Sequence, residues 1–197
     1  MSESRNQVEQ KSSIALIGMR GAGKTTIGRE LATMLGGNYV DTDELIVRHA
    51  GKSIAEIFAT EGEEGFRRRE RDAIVEVVAI RPKVIGVGGG AILDEENVRL
   101  LRSVATLVWL TAPPEVLRQR MTHDPNTPSF RPALTDRSGL AEIQHLLQVR
   151  TPYYQRAADV TIDTANEKPG VIAAAIMEKL KSRPPGTFTT KDYPHTE

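Results

Sequence analysis

Three segments of this chain carry residues whose types and order can do chemistry on a phosphate. Gly18-Met19-Arg20-Gly21-Ala22-Gly23-Lys24-Thr25 is an unbroken G-x-x-x-x-G-K-[ST] run. Glycines in such a loop let backbone N–H groups approach phosphate oxygens with no Cβ in the way. The lysine brings a mobile positive charge to the β- and γ-phosphates, and the threonine hydroxyl suits Mg²⁺. Average residue usage gives about a one-in-a-hundred chance of this pattern in a chain this long. The second segment, Asp41-Thr42-Asp43, offers two carboxylates one residue apart. One can reach the shell of Mg²⁺, and the other can accept a hydrogen bond from an acceptor hydroxyl and orient it. The same residues serve equally well as caps for a following helix over 44–49. The third is Gly88-Gly89-Gly90, costly in chain entropy and suited to a place where backbone approaches a ligand closely.

Three further groups add charge. Phe66-Arg67-Arg68-Arg69-Glu70-Arg71 reads mostly as a solvated helix face offset by Glu63, Glu64 and Glu70. Successive residues point in different directions, so one arginine of the run can face a site, and a planar guanidinium suits a carboxylate. Arg131 lies in a proline-bearing stretch over 122–137 whose length suggests a lid, where an arginine could stabilise charge on a transferring phosphoryl group. Arg150 is expected to end a helix just before Pro152.

The elements that must position these groups can be read from periodicity. Short apolar runs over 14–17, 38–40, 84–87, 105–110 and 159–162 predict strands covered on both faces. Between them, helical spacing predicts helices over 25–35, 66–80, 139–150 and 170–181. Ser53 to Glu56 forms a capping box that opens a short helix, Asp94 caps one through about Arg102, and Pro113-Pro114 introduces another through about Met121. Strands alternating with helices predict an α/β fold, with a five-stranded, mostly parallel sheet flanked by helices. In such sheets ligands bind at the carboxyl ends of the strands, where the three unusual segments fall.

The 197 residues suggest one domain, here 13–181, between a leader over 1–12 and a tail over 182–197. The formal net charge is zero, which disfavours a general nucleic-acid binder. The absence of cysteine removes disulfide frameworks and thiolate metal sites and fits a cytoplasmic protein. No apolar run is long enough to span a bilayer, so no membrane partner is expected. A GTPase-type Asn-Lys-x-Asp motif is absent from the chain.

Taken in order, the phosphate loop, Asp41-Thr42-Asp43, Ile54-Ala55-Glu56-Ile57-Phe58, Phe66-Arg67-Arg68, Gly88-Gly89-Gly90-Ala91, Arg131-Pro132 and Arg150-Thr151-Pro152-Tyr153-Tyr154 resemble the shikimate kinases, a small P-loop family like the nucleoside-monophosphate kinases. The resemblance runs from about Ser13 to Lys181. It implies transfer of the γ-phosphoryl group of MgATP to the 3-hydroxyl of shikimate, a step toward chorismate and the aromatic amino acids, by a monomer with a mobile lid. It implies that Gly21, Ala22, Gly23, Lys24, Thr25 and Thr26 bind ATP, with Thr25 and Asp41 on the Mg²⁺ side. Asp43, Arg67, Gly88, Gly89, Gly90 and Arg150 would bind shikimate, Asp43 also acting as base. Arg131 would be the lid arginine, and Arg120 and Pro169 would pack the adenine. A gluconate-type kinase shares the loop but has no need of the glycine triplet and arginine pair. A non-catalytic relative would have lost Lys24, Asp43 or Arg67.

Overall fold

The structure is a computed structural model, and it describes residues 12–123 and 139–182. The expected lid and its Arg131 therefore lie almost entirely outside the described residues, as do the leader up to Lys11 and the tail after Ser182.

Five parallel strands form one sheet in the order β2-β3-β1-β4-β5. They are β1 (Ser13–Ile17), β2 (Tyr39–Asp41), β3 (Val84–Gly86), β4 (Ala105–Thr111) and β5 (Val160–Asp163). β1 is buried along its whole length, as expected for an apolar run packed between neighbouring strands and covered on both faces. The helices are α1 (Lys24–Met34), α2 (Thr42–Ala50), α3 (Ile54–Ile80), α4 (Glu95–Val104), α5 (Pro114–His123), α6 (Gly139–Ala157) and α7 (Pro169–Lys181). Ile27 and Leu31 of α1 point into the core, along with Ile57, Phe66, Ile74 and Val77 of α3.

Local chemistry sets most boundaries. Asp41 caps α2 by accepting from the Asp43 N–H, and Gly51 closes that helix in the left-handed conformation. Ser53 and Glu56 form the expected capping box, Asp94 caps α4, and Pro169 takes the first position of α7. Two expectations need correction. The short helix after Ser53 and the helix expected over 66–80 are the two halves of α3, separated at Gly62, whose φ of 68° and ψ of −172° are not helical, so the second half begins just after Gly62, earlier than expected. The last long helix does not stop at Arg150. It runs through Pro152 to Ala157 and places Tyr154 one turn beyond Arg150.

Candidate active site

The loop after β1 lies at the middle of the sheet, because β1 is its central strand. Gly21 has φ of 80° and Gly23, at the start of α1, has φ of 93°, both in the left-handed region that a side chain resists. The loop curls around the start of α1, whose free N–H groups and dipole favour an anion. Lys24 folds back over it, donating from Nζ to Gly18 O at 2.9 Å and to Met19 O at 3.1 Å. Gly21, Gly23, Lys24, Thr25 and Thr26 line one face of a cavity of about 820 Å³. Ala22 does not. It is buried, and its N–H bonds within the loop to Met19 O at 3.2 Å.

β2 and β3 end on one side of this loop. Asp41 and Asp43 both line the cavity. Thr25 donates to Asp41 Oδ2 at 3.4 Å, so the two expected Mg²⁺-side residues meet. The Asp41 capping bond to Asp43 N uses the other oxygen, Oδ1, at 2.9 Å. Capping and facing the phosphate loop are thus done together by the two oxygens of one carboxylate. Between the two aspartates, buried Thr42 accepts from Gly88 N at 2.9 Å and ties the end of β2 to the glycine triplet.

That triplet is crowded, not loose. A Cβ on Gly88 would stand 2.6 Å from Asp43 Oδ1, and one on Gly90 would stand 2.7 Å from Arg67 Nη1. The glycines therefore leave room for side chains as well as for any ligand. Gly89 lines the cavity. Its carbonyl accepts from Tyr154 hydroxyl at 2.6 Å and from Arg150 Nη1 at 3.4 Å. Arg150 is buried and also faces the cavity. Tyr154 is fully buried and stacks on Trp109 at 5.6 Å between ring centroids.

Of the arginine run, Arg67 turns inward to the triplet. Arg68 and Arg71 are exposed, and Arg69 pairs with Glu61 at 2.9 Å. Arg67 bonds Glu70 at 2.7 Å and Glu63 at 3.2 Å, and Glu70 is only 1% exposed. Burial works against the Arg67 charge, but the charge and hydrogen bond of Glu70, then those of Glu63, outweigh it and raise its pKa. Asp43, Gly89 and Arg150 line the cavity, and Gly88 adjoins Asp43 as Gly90 adjoins Arg67.

On the β5 side, Arg120 of α5 reaches Gly21 O at 3.4 Å and Thr164 Oγ1 at 2.9 Å. Thr164 is buried, its hydroxyl 3.2 Å from Ala22 O and 3.0 Å from Thr111 O. Arg120, Thr164 and Pro169 line the same cavity as the phosphate loop, opposite the β2 and β3 ends.

Sequence reasoning missed Thr42, Glu70, Tyr154 and Thr164 as parts of the site. Thr42 sits inside a segment already singled out, and Glu70 follows Arg67 by three residues on a helix, a spacing that brings side chains together. Tyr154 was hidden by the helix end expected at Pro152. Thr164 carries no local signal.

A parallel sheet with a phosphate loop at its central strand and acidic and basic groups at the neighbouring strand ends defines an α/β P-loop phosphotransferase. The family model described as Shikimate kinase matches residues 20–181. A shikimate kinase from Symbiobacterium thermophilum is 43% identical over 170 residues, covering 86% of this chain and 97% of that protein. One from Nitrosococcus oceani is 40% identical, covering 93% and 95%. The solved structure of shikimate kinase from Acinetobacter baumannii in complex with shikimate superposes with a TM-score of 0.80 at 37% identity, covering 87% of this chain and 93% of that one. This chain belongs to the shikimate kinase family.

Proposed function

We propose that this protein transfers the γ-phosphoryl group of ATP to the 3-hydroxyl of shikimate, releasing ADP and shikimate 3-phosphate. The observation that carries the reading is the convergence of Asp43, Arg150 and, through the glycine triplet, Arg67 on the side of the cavity that faces the phosphate loop. That arrangement suits a carboxylated ring alcohol. Guanidinium groups bind the carboxylate, Asp43 binds ring hydroxyls, and the phosphate loop brings the donor to meet them.

The loop N–H groups and Lys24 hold the triphosphate. For that, Lys24 exchanges its bonds to Gly18 and Met19 carbonyls for phosphate oxygens. Asp43 accepts the acceptor hydroxyl and takes its proton as the new oxygen–phosphorus bond forms and the bond to the β-phosphate oxygen breaks. The proton then leaves Asp43 for solvent. Arg120 and Pro169 flank the adenine, and Arg131, which lies outside the described residues, supplies positive charge to the transferring phosphoryl group. Little covalent chemistry is needed, so the protein mainly positions groups and neutralises charge.

Mg²⁺ fits the residues present. Among the described residues no cluster of three or more His, Cys, Asp or Glu side chains could hold a metal alone. Mg²⁺ typically takes only one or two protein ligands and completes its shell with water and substrate phosphates. Thr25 and Asp41, 3.4 Å apart beside the loop, suit that pattern. When bound, the ion would supply positive charge that neutralises the phosphate oxygens. The reading carries with it a monomeric cytoplasmic enzyme. No helix among the described residues is long and apolar enough to cross a membrane.

The test is product analysis after incubation with MgATP and shikimate, with gluconate in parallel. Shikimate 3-phosphate and ADP in equal amounts are the expected result. Phosphorylation of gluconate and not shikimate would overturn the choice of acceptor.

A further inference from the structure

Tyr39, the first residue of β2, meets the site in a way the reaction above does not use. Its hydroxyl donates to Asp41 Oδ2 at 2.6 Å, the same oxygen that meets the Thr25 hydroxyl. The other carboxylate oxygen accepts from Asp43 N. A carboxylate held by donors on both oxygens cannot rotate without breaking one of those bonds, so its remaining lone pairs keep a fixed direction.

The tyrosine is also built into its place. A Cβ on Gly28 of α1 would lie 2.4 Å from the ring, and a Cβ on Gly86 of β3 would lie 2.1 Å from the hydroxyl oxygen. Two glycines on two different elements thus leave the space that this one side chain fills. Packing against Gly28 accounts for the ring. It does not account for the hydroxyl, whose room is made by Gly86 and whose proton goes to Asp41.

We propose that Tyr39 is a positioning residue whose hydroxyl aims the Asp41 carboxylate beside Thr25 for the Mg²⁺ of the nucleotide. The proposal rests on the reading of Asp41 and Thr25 as the Mg²⁺-side pair. Partners that orient a metal ligand from behind set metal affinity nearly as strongly as the ligand does. Tyr39 acts through Asp41 and touches neither the phosphoryl group nor shikimate. Its loss therefore weakens the metal and leaves acceptor binding alone.

Mn²⁺ serves as the probe, with free ion counted by electron paramagnetic resonance during titration of the protein–ADP complex and corrected for ADP alone. Shikimate binding to the same samples is measured by calorimetry. Tyr39→Phe, which keeps the ring, is expected to weaken Mn²⁺ about tenfold, the scale of a lost outer partner, with shikimate binding unchanged. Gly86→Ala keeps the tyrosine but drives a methyl group onto its hydroxyl and against Asp41 Oδ2 as well, and it is expected to do the same. If Tyr39→Phe does not fold, an unchanged Mn²⁺ affinity in Gly86→Ala overturns the proposal. Asp41→Asn is the reference and is expected to weaken Mn²⁺ at least as much. If Asp41→Asn weakens Mn²⁺ while Tyr39→Phe and Gly86→Ala do not, the Tyr39 role is wrong and the Mg²⁺ reading stands. If Asp41→Asn leaves Mn²⁺ affinity intact, the Mg²⁺ reading fails and the Tyr39 role goes with it. Parallel loss of Mn²⁺ and shikimate affinity in a folded Tyr39→Phe protein would mark a merely structural residue and also overturns the proposal.

Discussion

Asp43 lies between two demands. Gly88 and Asp43 crowd each other at the end of β3, and the carboxylate faces the cavity beside the phosphate loop. If it takes the acceptor proton, Asp43→Asn keeps the shape and removes the base. Turnover should fall about 10²- to 10⁴-fold, the usual worth of a positioned general base. Steady-state kinetics paired with shikimate calorimetry checks this, and near-normal turnover with normal binding would remove the base role. Tyr39 shows a related economy. Burial first, and then the neighbouring Asp41 charge, push its hydroxyl well above the ordinary tyrosine range, so it stays protonated and remains a donor. Arg67, Arg120 and Arg150 likewise differ in their surroundings. Arg67 is held by Glu70 and Glu63, Arg120 by Thr164 and the phosphate loop, and Arg150 bonds Gly89 from a buried position.

Elements carry the next level of control. α6 continues through Pro152 and so sets Arg150 and Tyr154 on one face, both bonding the same carbonyl of Gly89. Tyr154→Phe removes the shorter of the two bonds while keeping the stack on Trp109. The expected result is a several-fold rise in the KM for shikimate, consistent with a lost hydrogen bond of about 1 kcal/mol, with the KM for ATP unchanged. Initial rates with each substrate varied in turn separate the two. At the start of α3, the Ser53 side chain first, and then its backbone, hydrogen-bond Glu56 and lower its pKa. A carboxyl whose folded pKa lies below its unfolded value stabilises the fold fully above the unfolded value, near 4.3, and loses that contribution as pH falls through the folded value. Glu56→Gln should therefore be less stable than the parent at neutral pH, with the gap closing in acid. Urea midpoints measured across that range test it.

At the scale of the whole molecule, the core and the site share residues. Phe66 is fully buried, stacks on Phe58 at 4.6 Å between ring centroids, and immediately precedes Arg67. Phe66→Ala should cost about 3–5 kcal/mol of stability, the usual range for emptying a buried aromatic site. A lower urea midpoint is the readout. Ligands acting only on the folded state should raise the melting temperature, each contributing about 2.7 kcal/mol at a hundred times its dissociation constant. Arg150→Ala is expected to abolish the shift given by shikimate and to keep the shift given by ADP, which thermal melts with each ligand alone can distinguish. If both shifts vanish together, Arg150 supports the cavity as a whole.

Much of this was open to a reader of the residues alone, for local reasons. The strands over 14–17 and 105–110 follow from continuous apolar runs, and the phosphate loop from glycine spacing. The capping box at Ser53 and the caps at Asp41 and Asp94 follow from side chains that bond their own neighbouring backbone. Such signals act over a few residues and survive without a fold. The order β2-β3-β1-β4-β5 is another matter, since it depends on crossovers between distant segments. Only the folded chain decided where α3 breaks, at Gly62, that α6 would pass through Pro152, and that Tyr39 would fit between Gly28 and Gly86. Only there did Thr164 come within reach of the phosphate loop, and only there did the glycine triplet become a bed for Asp43 and Arg67. These are contacts between groups far apart in the chain, whose energies exist only once close packing has brought them together.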